Sequence, residues 1–173
     1  MISVINVENE VNTVTEILNS EHDLYRDMLE ISKSKKDVIV KGKVAELDKL
    51  VKLEQNMIFD IGQLERKREA EVAKLCATLG MNSSSINISE LMKVLRPEQN
   101  RKLEAAQDKL RKVLAELKTV NDLNGQLIQQ SLEYIDYSIN LVAGAGMETG
   151  SLYEDLGKNK NKQRDKNIFN AKA

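Results

Sequence analysis

Between Leu103 and Leu141 the chain sets apolar or small residues at alternating steps of three and four: Leu103, Ala106, Leu110, Val113, Leu117, Val120, Asn124, Leu127, Ser131, Tyr134, Ser138 and Leu141. This repeat puts one residue per turn on a single seam of an α-helix, and a strand, whose faces alternate at every residue, has no use for it. A second row of Leu114, Asn121, Ile128, Ile135 and Val142 flanks the seam. The stripe is then wide enough for the helix to face more than one neighbour.

The rest of the chain supplies such neighbours. Val4, Val7, Val11, Val14, Leu18, Tyr25 and Met28 follow the same steps, with Glu21 as the one charged interruption and Ile17, Leu24 and Ile31 alongside. They predict a first helix from about Asn6 to Val40. Lys41-Gly42-Lys43 closes it, since glycine takes the left-handed conformation that ends a helix and cations suit the negative end. From Val44 a second helix carries Leu47, Leu50, Met57, Ile61, Leu64, Val72, Leu75 and Leu79, while Glu54 and Arg68 occupy positions that would otherwise be apolar. It is predicted to stop at Gly80, before the turn formers Met81 to Ser85. Asn87 to Glu90 resembles a capping signal for one short helix over Leu91 to Leu95, and Pro97 suits the first turn of the third long helix. That helix is predicted to end at Gly144-Ala145-Gly146.

The predicted fold is therefore all-α: an elongated antiparallel three-helix coiled-coil bundle, up-down-up, with a short extra helix between helices 2 and 3. Residues 1–143 form the bundle and 144–173 a flexible C-terminal tail, which lacks any amphipathic repeat and holds a polar run from Lys158 to Lys166. Composition agrees. With 3% aromatic residues, 31% charged residues, one Pro and no Trp in 173 residues, β-structure has little to build on. A net charge of −1 gives no global field for nucleic acid. The first residues lack the pattern of a signal peptide, and no apolar run reaches the roughly 20 residues of a membrane span, so a cytosolic protein is expected.

Little in the sequence supports catalysis. The single histidine, His22, has no second His or Glu-x-x-His near it, and the single cysteine, Cys76, has no base to activate it. Both read as structural residues. The stretch from Gly150 to Lys158 ends in Gly-Lys, but Asn159 stands where a phosphate-binding loop needs Ser or Thr. No cofactor or metal is expected. The polar residues on the apolar face of the third long helix, Asn121, Asn124, Ser131 and Ser138, have two readings: they set register within a coiled coil, or they line a groove that a partner fills part of the time. In the tail, the stretches 151–157 and 167–170 set Tyr153, Leu156 and Phe169 in polar surroundings, as short binding motifs do.

Taken together, Leu24-Tyr25, Ile39-Val40-Lys41-Gly42-Lys43, Leu64-Glu65, the run Asn121-x-x-Asn124-x-x-Leu127-Ile128-x-x-Ser131-Leu132-x-Tyr134 and the tail motifs resemble the FlgN-type flagellar export chaperones. The resemblance implies a non-enzymatic cytoplasmic chaperone that binds hook-associated proteins, the hook-filament junction subunits, through a helical C-terminal segment. It implies that the chaperone keeps them from assembling early and delivers them to the type III export apparatus. On that view Asn124, Leu127, Ile128, Ser131, Tyr134, Ile135 and Leu141 form the cargo surface, and Tyr153, Leu156 and Phe169 dock to the export gate. The alternative is a structural coiled-coil protein that self-associates and carries no cargo.

Overall fold

A computed structural model of the chain describes the backbone at residues 2–81 and 88–151, with side chains at 6–81, 88 and 90–144. Every described element is a helix: α1 (Ile2–Val40), α2 (Val44–Thr78), the four-residue α3 (Ile88–Leu91) and α4 (Pro97–Ser151). The ends follow the glycines where the backbone needs them. At the close of α1 the amide of Gly42 donates to the carbonyl of Ile39 at 3.0 Å and that of Lys43 to Val38 at 3.0 Å, with Gly42 at φ 63°. The same pair of bonds closes α2, from Gly80 to Ala77 and from Met81 to Cys76, with Gly80 at φ 70°. Both are Schellman closures, which use a left-handed residue to satisfy the last carbonyls. Pro97 opens α4, and the side chain of Gln99 accepts the amide of Arg96 at 3.2 Å, one half of a capping box.

Three predicted boundaries shift. The short helix is Ile88–Leu91 and not Leu91 to Leu95, so Ile88 to Glu90, expected in its cap, lie inside it. The first helix begins at Ile2 instead of Asn6, and α4 passes through Gly144 and Gly146 to Ser151. A glycine inside a helix costs about 1 kcal/mol relative to alanine but does not stop it. It ends a helix only when it turns left-handed, and among the described residues only Gly42 and Gly80 do so.

The described chain packs as two compact units, 1–131 and 132–173. In the first, the side chains that join α1 to α2 run in opposite numerical order: Thr78 donates to Glu10, Arg68 to Glu21, Tyr25 to Glu65, and Ser32 to Glu54. These two helices are antiparallel. α4 meets α1 in rising order, with one cleft between Glu8 and Lys102 and another between His22 and Glu116. Farther along, Asn124 Nδ2 donates to the Ser32 carbonyl at 2.7 Å. The core of this unit is one apolar cluster, to which α1 gives Val11, Val14, Leu18, Met28 and Leu29, α2 gives Ile61, Leu75 and Cys76, and α4 gives Leu103, Ala106, Leu110, Val113 and Leu117. Leu91 and Leu95 close its end.

The charges that broke the sequence pattern meet each other. Glu21, 1% exposed, receives Arg68 Nε at 2.9 and 3.1 Å. Glu54 accepts Ser32 Oγ at 2.9 Å and pairs with Lys35 Nζ at 2.6 Å.

Candidate functional site

The seam of α4 changes character along its length. From Leu103 to Leu117 its residues are buried, Val120 and Leu127 are half-buried, and Asn124 is 3% exposed. Asn124 therefore spends its amide inside the first unit, on the backbone of α1. The structure places it in a packed seam. Leu127 and Ser131 are half-buried, and Ile128 is exposed. Ser131 Oγ donates to the Leu127 carbonyl at 2.8 Å and Ser138 Oγ to that of Tyr134 at 2.8 Å. Those hydroxyls bond their own helix, a local use that leaves their helical face without a directed donor.

Among the described side chains of the second unit, every one but Ser138 is exposed. Leu132, Tyr134, Ile135, Tyr137, Ile139, Leu141 and Val142 all lie on the surface, from 50% exposed at Ile135 to 73% at Val142. At about 100° per residue, Leu132, Ile135, Ile139 and Val142 make one stripe, and Tyr134, Tyr137 and Leu141 make a second. Glu133, Asp136 and Asn140 gather on the remaining side. The apolar arc covers roughly 220° of the helix, far wider than the single stripe that suits a helix lying against one neighbour. Exposed apolar surface gathered in one patch is a feature that marks interaction sites in general. It was only partly visible in the heptad seam, which gives Tyr134 and Leu141, with Ile135 and Val142 from the flanking row. Leu132, Tyr137 and Ile139 fall off both rows and are found only by following the whole circumference.

The arc is suited to holding a nonpolar or amphipathic segment, and it has no chemistry of its own. Among the described residues no group of three His, Cys, Asp or Glu side chains is placed to hold a metal ion, and no helix is long and apolar enough to cross a membrane. Cys76 is buried at 1% exposure, and burial pushes its thiol pKa up, away from the nucleophilic thiolate. His22 Nδ1 lies 3.2 Å from Asp23 at the edge of the α1–α4 cleft. Tyr153, Leu156 and Phe169, the predicted gate contacts, lie outside the described residues.

Comparison with known proteins accords with this picture. An uncharacterized protein, YvyG, of Bacillus subtilis (strain 168) is 29% identical over 119 residues, which cover 69% of this chain and 72% of that protein. No solved structure matches the chain. The model of the family described as FlgN protein matches residues 1–161, nearly the whole length, and the chain belongs to that family.

Proposed function

We propose that this protein is a cytoplasmic flagellar export chaperone that holds hook-associated proteins unassembled and delivers them to the type III export apparatus. Membership of the FlgN family, a family of flagellar export chaperones, supports the general role. The observation that carries the mode of binding is the exposed arc of residues 132–142. An amphipathic helical segment of the cargo laid against Tyr134, Ile135 and Leu141 removes this surface from water, a standard way for a helix to be recognised. In the first unit, taken by itself, Ile128 is an exposed apolar residue, with Leu127 half-buried one position before it and Ser131 half-buried three after it. Tyr153, Leu156 and Phe169 serve the export gate. The up-down-up coiled-coil reading of α1, α2 and α4 belongs to the same proposal and is supported by the antiparallel α1–α2 pairs and the rising order of α1–α4 contacts.

The experiment exploits exposure. Truncating a core leucine such as Leu110 is expected to cost about 2 to 5 kcal/mol of stability. Ile135→Asp, or Tyr134→Ala with Leu141→Ala, removes nothing that is buried, so the melting temperature should hold. Affinity for a purified hook-associated protein should fall by about tenfold or more, the loss typical of a central apolar anchor. Full affinity in these folded variants refutes the assignment. The second reading, a self-associating coiled coil, is favoured by exposed Val44, Val51 and Ile58 at sevenfold spacing on α2. It requires a sedimentation coefficient that rises with concentration in the absence of cargo.

A further inference from the structure

The apolar arc of the second unit consists of two separate faces. At about 100° per residue, the centre of the stripe with Ile135 and Ile139 stands about 150° from the centre of the stripe with Tyr137 and Leu141, so the two look to nearly opposite sides of α4. Ser138 lies in the gap between them, half-buried, with its hydroxyl on the carbonyl of Tyr134. A helix seated on either stripe engages an apolar face on the order of 100° wide, which leaves the other stripe in water.

Area points the same way. A specific, stable interface takes about 800 Å² from each partner. At about 150 to 250 Å² for a whole aromatic side chain, Tyr134 and Tyr137, 72% and 64% exposed, offer about 200 to 340 Å² together. Leu141 adds one aliphatic side chain, so this stripe alone falls well short. Length does not make up the difference, because residues 132–142 form only about 15 Å of helix. A stable complex on this arc therefore needs both stripes covered in one binding event.

We propose that one cargo molecule grips this end of α4 from both sides with two amphipathic helical segments, one on each stripe. This rests on the reading of the arc as the cargo surface, and it states what the cargo presents there. Helices packed 8 to 10 Å from the axis of α4 on nearly opposite sides lie roughly 15 to 20 Å apart. The connection between them takes at least about five residues of extended chain. Two segments of one chain are favoured over a second molecule on the second stripe. Once the first segment is seated, a short connection gives the other an effective concentration in the millimolar range, which outcompetes another molecule at micromolar concentration.

The test is hydrogen exchange in a purified hook-associated protein, alone and bound to the full chain in excess. Two separate stretches of the cargo, at least about five residues apart, should exchange about tenfold more slowly when bound, because each is held as helix on one stripe. Ile139→Asp should release one stretch and Tyr137→Asp the other. Both replaced side chains are exposed, so the melting temperature of each variant should hold. Any pattern other than one stretch per variant overturns the proposal, whether a single continuous slowed stretch, both stretches lost together or neither lost. A complex that sediments with two copies of this chain overturns it as well, since the second copy would then cover one stripe. The cargo reading fails separately. If the natural chain slows no part of the cargo, that reading falls and the inference with it. A single slowed stretch that is released by Ile135→Asp leaves the cargo reading standing and removes only the second segment.

Discussion

Glu21 is a carboxylate with almost no access to water, held by one guanidinium. Burial raises its pKa above the ordinary value of 4.5, and the hydrogen bond and charge of Arg68 pull it back only in part. The folded protein therefore keeps this proton more tightly than the unfolded chain does. As pH rises from 4.5 through the raised folded value, the contribution of Glu21 to stability declines. Arg68→Met removes both lowering influences and leaves the ionised carboxylate unpaired, a loss of about 3 to 5 kcal/mol at neutral pH for a buried pair broken on one side. We expect the melting temperature of Arg68→Met to fall more steeply than that of the natural protein between about pH 5 and pH 7. Parallel curves would show that Arg68 does not set the charge state of Glu21. Glu21, Glu54 and Arg68 were each visible in the sequence as breaks in an apolar seam. Their pairing was not, because it depends on how far one helix slides along the other.

That sliding is fixed at the level of elements. Glu10, Glu21 and Ser32 recur every eleven residues along α1, and eleven residues make three turns plus about 20°, so the three lie on one stripe. All are buried, and each meets a polar partner on α2: Thr78, Arg68 and Glu54. A slip by one turn would strand every layer. The polar layers thus specify register where apolar residues alone would accept several, as a buried Asn does in a coiled coil. Asn124 joins the Ser32 layer from α4 by donating to the Ser32 carbonyl. The turns were legible for a different reason: Gly42 and Gly80 act through local backbone geometry, which neighbouring residues reveal. At Gly42 an added Cβ meets nothing within 4 Å, so any cost of Gly42→Ala is purely conformational. Thermal or denaturant unfolding should show a loss of about 1 to 2 kcal/mol, the penalty for a left-handed alanine. No loss would mean that the closure rearranges freely.

At the scale of the whole molecule, the unit 1–131 holds the buried core, and the proposed function assigns the partners to the end of α4 and to Tyr153, Leu156 and Phe169. On that assignment Tyr153 and Phe169 serve the export gate while the arc holds cargo. Presentation of a short motif by an occupied carrier turns a weak second contact into an effective one, because the carrier raises the local concentration of cargo at the gate. We therefore expect a strain expressing Tyr153→Ala with Phe169→Ala at normal protein levels to secrete several-fold less hook-associated protein. The purified variant should bind cargo as tightly as the natural chain, since neither residue belongs to the proposed holding surface. Undiminished secretion would remove these two residues from delivery. Weakened cargo binding would place them in the holding surface and overturn the separation of holding from delivery.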